Sequence, residues 1–154
     1  MKRFPLLGAF ILLAFGFTIQ GQDKSAWTNL LEKDLKTHCF TTGNWILGED
    51  GVVALVPRKG ESGWQRYDAY LWAKKQYKDF ECEFEYKVDK GGNSGFYFHV
   101  GDLKEPVKTG IEVQIYDSGS KDKTAKLSDH DSGGIGFQDH GLPLELRNIR
   151  IREL

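Results

Sequence analysis

Successive side chains of a β-strand point to opposite faces, so a half-buried strand shows a two-residue period. Several stretches of this chain carry that period. Phe80, Cys82, Phe84 and Tyr86 alternate with Glu81, Glu83 and Glu85, which predicts a strand over 79–88 with three carboxylates on a solvated outer face. In 91–100, Tyr97 and His99 share one side and Phe96 and Phe98 the other. In 110–117, Ile111, Val113 and Ile115 alternate with Glu112, Gln114 and Tyr116. Two apolar runs flank Asp50-Gly51 and predict a hairpin over 43–56, because glycine accepts the positive φ of the turn. Residues 67–73 read as a further strand with Tyr70 and Trp72 together. The end of the chain alternates less cleanly, but Leu144, Ile149 and Ile151 mark a C-terminal strand. Trp27, Leu30, Leu31 and Leu35 fit a short amphipathic helical turn or an irregular lead-in. Residues 89–93, 101–110 and 118–131 read as turn, polar loop and surface loop, the last carrying His130.

The first residues stand outside this pattern. Lys2 and Arg3 precede an apolar run from Phe4 to Ile19, interrupted by Thr18. Its length of about 16 residues is short of the ~20 that span a bilayer. The layout is that of a secretory signal peptide over 1–21, leaving 22–154 as one domain with no membrane span, secreted or periplasmic. Export would place Cys39 and Cys82 in an oxidising space where a bridge forms. Cys82 equally suits the apolar side of its strand as a free thiol. Both readings stand at this point.

Composition narrows the function. A net charge of −1 and a pI near 6.4 give no electrostatic case for nucleic acid. Gly at 18 against Pro at 4, with 13% aromatics, supports many strands and tight turns. No phosphate loop, dinucleotide fingerprint, CxxC or HExxH is present, and Ser94 lacks nucleophile-elbow spacing. What remains is the polar face that alternation assigns to His99, Glu112 and Gln114. It suits a grip on a polar ligand as well as it suits a wet surface.

Several short motifs, in order, resemble the secreted 3-keto-disaccharide hydrolase family. They are Gly43-Asn44-Trp45, Asp50-Gly51, Asp79-Phe80-Glu81, Gly92-Asn93-Ser94-Gly95, Gly110 to Asp117, Gly136-Phe137-Gln138-Asp139-His140-Gly141, and Arg147-Asn148-Ile149-Arg150-Ile151. The resemblance spans nearly all of 22–154. It implies an all-β fold, a concanavalin A-like antiparallel β-sandwich (jelly roll) with a sugar groove on its concave sheet. In the family a long segment separates the Gly-Gly stretch from the Gly-Phe-Gln-Asp-His-Gly motif, whereas here Ile135 runs directly into Gly136. The sandwich is therefore expected to be incomplete by several strands.

The resemblance implies a carbohydrate substrate, a glycoside oxidised to a ketone at C3. The carbonyl acidifies C2–H, a base removes that proton, the C1 substituent leaves, and water adds back. The paired carboxylates of ordinary glycosidases are not required. Glu112, His140 and His99 are the catalytic candidates, since histidine works as acid or base near neutral pH. Asn93, Tyr97, Gln114, Asp117, His130 and Asp139 are the substrate-binding candidates. A divalent cation held by Glu112, Asp117 or a histidine would suit an enolate, but no ligand spacing demands one and no other cofactor is implied. A non-catalytic carbohydrate-binding sandwich and a structural remnant are the rival readings. Oligomeric state is left open.

Overall fold

The alternating stretches pair into two antiparallel sheets that close on a shared apolar interior, as seen in a computed structural model describing residues 26–32, 34–61, 63–117 and 132–154. The expected signal peptide, and His130 with its loop, lie outside the described residues. In chain order the elements are β1 (Thr28–Asn29), α1 (Leu35–His38), β2 (Cys39–Phe40), β3 (Trp45–Leu47), β4 (Val53–Leu55), a 3-10 turn (Tyr67–Ala69), β5 (Leu71–Ala73), β6 (Phe80–Val88), β7 (Asn93–Val100), α2 (Pro106–Thr109), β8 (Ile111–Tyr116), β9 (Gly134–Phe137) and β10 (Leu144–Glu153). The first sheet runs β6, β10, β4, β3, with β1 also on β10; the second runs β2, β5, β9, β7, β8. The fold is an all-β antiparallel sandwich.

The expected hairpin is β3–β4, where Trp45 pairs with Leu55 and Gly51 takes a φ of 78°. Strand β5 is shorter than expected, because Tyr67–Ala69 winds into the 3-10 turn first. The lead-in resolves into β1 and the single turn α1, capped by Asp34 accepting from the Thr37 amide. Strand β9 had no clear signal in the sequence. Two of its four residues are glycine, and all four are buried between neighbours on both edges.

The interior is built from Trp45, Leu55, Leu71, Phe96, Ile115, Phe137, Leu146 and Ile151. The uneven alternation of β10 has a local cause. Asn148 adopts φ 53°, and the register against β6 shifts between Arg147 and Arg150. This bulge changes the phase, so Leu144 and Leu146 before it and Ile149 and Ile151 after it all point inward.

The three carboxylates of β6 face outward as expected, and each meets β10. Glu81 is bonded to Arg152, Glu83 to Arg150, and Glu85 to Arg147 and Asn148. Trp27 lies 4.8 Å from the guanidinium carbons of both Arg150 and Arg152. Cys39 and Cys82 are both free thiols. Burial pushes them up to about 11 and about 12 respectively, which keeps both protonated and poorly nucleophilic at neutral pH.

Candidate active site

The outer face of the second sheet carries the chemistry, and strand register arranges it as a grid. In one row Trp72 of β5, Gly136 of β9, Tyr97 of β7 and Glu112 of β8 lie side by side. In the next, Gly95 pairs with Gln114 and its carbonyl accepts from the Gln138 amide. In the third, Asn93 pairs with Tyr116, and Asn93 Nδ2 donates to His140 Nε2 at 3.1 Å. That geometry assigns the ring proton of His140 to Nδ1.

Two glycines form the floor. A Cβ at Gly136 would lie 2.8 Å from Trp72 Cδ2 and Cζ3, and one at Gly95 would lie 2.9 Å from Glu112 Cγ and closer still to Oε1. The Trp72 ring and the Glu112 carboxylate therefore rest directly on backbone. Behind them Tyr70, Trp72 and Tyr97 pack together, with Tyr70 and Trp72 stacked at 5.5 Å. Gln138 Nε2 donates to Tyr70 Oη (2.9 Å), which donates to the Trp64 carbonyl (2.7 Å). Burial, reinforced by the Glu112 carboxylate, pushes the Tyr97 hydroxyl far above the ordinary tyrosine range. Tyr97 thus stays a neutral phenol beside Glu112.

The wet margin of this aromatic bed is half-buried and polar: Asn93, Glu112, Gln114, Tyr116 and His140. Asn93 Oδ1 and Gln138 Oε1 are among the buried side-chain atoms of the described residues that have no hydrogen-bond partner. Buried acceptors in that condition are costly unless water or a ligand reaches them. A cavity of about 330 Å³ opens at the other end of the same face, beside Tyr67, Trp72 and Leu103. A wider groove of about 670 Å³ lies on the opposite sheet between Trp27, Glu83, Glu85 and Arg150. Its carboxylates are already bonded to arginines and asparagine, so it offers less acid–base chemistry.

Glu112, Gln114, Asn93 and His140 are thus brought to one face, and His99 is not. The alternation that put His99 beside Tyr97 breaks at a bulge, where His99 takes φ 51° and the register against β9 shifts between Tyr97 and Val100. Its ring turns to Phe80 and Phe98 at 5.8 and 5.3 Å, its Nε2 meets the Lys78 carbonyl at 2.9 Å, and Val100 takes its place beside Tyr97. Tyr97 is on the expected face but only 1% exposed, so its ring has no open side for a sugar and acts as the seat of Glu112. Asp117 accepts from the Gly91 amide and ties the turn before β7. Asp139 is wholly buried and accepts from Arg66 (2.7 Å) and the Gly141 amide (2.9 Å), so it anchors the loop that presents His140. Among the described residues no three His, Cys, Asp or Glu side chains gather so as to hold a metal ion. Gln138 is the addition: with Gly136 it flanks the inward Phe137, a two-residue period that marks its side once β9 is known to be a strand.

Residues 17–130 match the model of the 3-keto-alpha-glucoside-1,2-lyase-like domain. The chain belongs to that family. Two crystal structures of candidate glycosyl hydrolases from Parabacteroides distasonis share the fold of this lyase-like chain. One is 19% identical with a TM-score of 0.64, covering 84% of this chain and 100% of the other. The second is 16% identical with a TM-score of 0.62, covering 88% and 98%. No curated protein sequence matches the chain. Within this 3-keto-glucoside lyase-like domain the matched span holds Asn93, Tyr97, Glu112 and Gln114, while Gln138 and His140 lie beyond it.

Two consequences of the geometry are measurable. Gly95→Ala should leave stability nearly unchanged, since the colliding atoms are the end of a flexible side chain, but it should displace the Glu112 carboxylate. Loss of sugar turnover or binding by about tenfold or more, with an unshifted melting curve, is the expected result; an unaltered activity would show that Glu112 does not sit where it acts. The second concerns Asp139, whose carboxyl is raised above 3.8, by burial first, against the pull of Gly141 and Arg66. A folded value above the unfolded one means that the native chain holds this proton more tightly. The group's contribution is then full below the unfolded value and is lost as pH rises through the folded one. Lowering the pH from about 7 to about 4 should therefore favour the wild type relative to Asp139→Asn, read as the difference in urea midpoints. A shift in the other direction would mean that the Arg66 pair outweighs burial.

Proposed function

We propose that the chain is a secreted or periplasmic enzyme that cleaves 3-keto-disaccharides or 3-keto-glycosides by elimination followed by hydration. The observation that carries this reading is the cluster of half-buried Asn93, Glu112, Gln114 and His140 on one sheet face, backed by a dry aromatic bed. Family membership supplies the substrate class, and the apolar run at the start of the sequence motivates export.

Glu112 takes the C2 proton as the enolate forms. Its place on bare backbone at Gly95, against the neutral Tyr97 hydroxyl, restricts its rotamers and holds the carboxylate for attack on one C–H bond. As the C1–O bond breaks, the electron pair leaves with the aglycone oxygen, which takes a proton from a water molecule held by His140. The hydroxide so formed adds at C1 of the enone, and Glu112 returns its proton to C2. Gln114 and Asn93 bond sugar hydroxyls, Gln138 braces Tyr70 behind them, and the cavity beside Trp72 has room for a second ring.

The test is release of aglycone from a 3-keto-glycoside, compared with the unoxidised glycoside. Release from the oxidised substrate alone supports the proposal. Calorimetric binding without release, by folded protein, would replace it with a non-catalytic sugar-binding sandwich.

A further inference from the structure

His140 lies outside the ladders that order the rest of the site. After β9 the Gln138 amide still meets a strand carbonyl, that of Gly95 at 2.8 Å, and β10 starts only at Leu144. Among the described residues no backbone-to-backbone hydrogen bond reaches Asp139, His140 or Gly141. Side chains hold this stretch instead. Asn93 meets the His140 ring at 3.1 Å. Asp139 Oδ1 accepts from the Gly141 amide at 2.9 Å, and the same oxygen accepts from Arg66 Nη2 at 2.7 Å. Gly141 closes the turn with a φ of 78°.

The far end of that run of contacts is rigid. Arg66 precedes the 3-10 turn, and its carbonyl accepts from the Ala69 amide at 2.9 Å. The Trp72 indole holds the Tyr67 carbonyl, while the Trp45 indole and Thr41 Oγ1 hold the Ala69 carbonyl at 2.8 and 2.9 Å. The other arm of the guanidinium, Nη1, lies 3.3 Å from Glu61 Oε1. Glu61 in turn accepts from the Arg58 amide at 2.8 Å. A planar fork pinned by both arms keeps one orientation. We infer that Arg66 is a positioning residue for His140. Pinned to the 3-10 turn and to Glu61, it fixes Asp139, and through the Asp139–Gly141 turn it sets the angle at which the His140 ring meets Asn93. The bearing of Arg66 on catalysis rests on the proposed role of His140; its bearing on the ring does not. Without the guanidinium the wholly buried Asp139 carboxyl loses its cation, and takes up a proton or draws in water. Either change frees the turn and lets the ring leave Asn93.

Nitrogen–proton correlation spectra of the histidine rings, at about pH 8 where imidazole is neutral, test the positioning in the folded chain. His140→Gln identifies the signal. The wild-type His140 ring should carry its proton at Nδ1 alone, as the bond from Asn93 requires. Arg66→Gln should convert it to the tautomer mixture of free imidazole. In turnover of a 3-keto-glycoside, Arg66→Gln should lose about thirtyfold in kcat with KM within about threefold. Added to His140→Gln, the same change should cost less than about threefold more, which a merely structural tie would not do. A wild-type ring already in the free mixture, an Nδ1–H ring retained in Arg66→Gln, or equal losses with and without His140 would overturn the inference. A wild type that releases no aglycone, but whose Nδ1–H signature is lost in Arg66→Gln, would remove the proposed reaction and keep the positioning. If Arg66→Gln shows no cooperative melt, combining it with Asp139→Asn, which leaves no charge buried there, gives the same reading by the same outcomes.

Discussion

A Glu112→Gln variant is expected to lose about a thousandfold in turnover of a 3-keto-glycoside while its KM changes little. The amide keeps the shape of the carboxylate on the Gly95 backbone and can still meet the Tyr97 hydroxyl, so the fold and the sugar contacts survive. What it loses is a lone pair basic enough to take the C2 proton. A loss confined to kcat therefore separates a base from a hydroxyl clamp, whose removal would raise KM. The companion variant Tyr97→Phe should lower kcat far less, because Tyr97 is buried and touches the base, not the sugar. Retention of turnover within about threefold in Glu112→Gln would rule out general-base catalysis at this position.

Gly136→Ala is expected to cost about 3 kcal/mol in stability, read as a lower urea midpoint and a melting temperature reduced on the order of 10 °C. The added methyl would enter the face of the Trp72 ring, which is 1% exposed and held by its indole N–H donating to the Tyr67 carbonyl at 2.7 Å. Neither partner has room to yield, since Tyr70 and Tyr97 close the ring in at 5.5 and 6.4 Å. This differs from Gly95→Ala, where the obstacle is a movable side-chain end: one glycine supports the fold and the other supports the site. A Gly136→Ala chain as stable as wild type would mean that the aromatic bed is looser than its packing distances imply.

Much of this architecture is legible before any coordinates. The long alternating runs at 79–88 and 110–117 become β6 and β8 on the predicted faces, because a two-residue period with one apolar side has few other ways to bury that side. The Asp50-Gly51 hairpin follows from the positive φ that glycine accepts. Two bulges limited the reading elsewhere. A single residue with positive φ, His99 in β7 and Asn148 in β10, flips every later side chain to the other face, and neither residue type announces it. The alternation rule therefore paired His99 with Tyr97 wrongly and left the last strand looking irregular. Strand β9 escaped notice because Gly-Ile-Gly-Phe carries little pattern, its glycines lying against the side chains of Leu103 and Trp72.

The order of residues along the chain was enough to settle the strand faces, the outward carboxylates of β6 and the polar side of β8, since these depend only on local backbone geometry and the burial of apolar groups. Which strands become neighbours depends on contacts far apart in sequence. Only the folded chain could set Gln138 and His140 beside Gly95 and Asn93, and bury Asp139 against Arg66 instead of offering it to a ligand. Those outcomes are decided by pairing register and by steric fit at single positions, two glycines and two bulges, whose consequences appear only when distant segments meet.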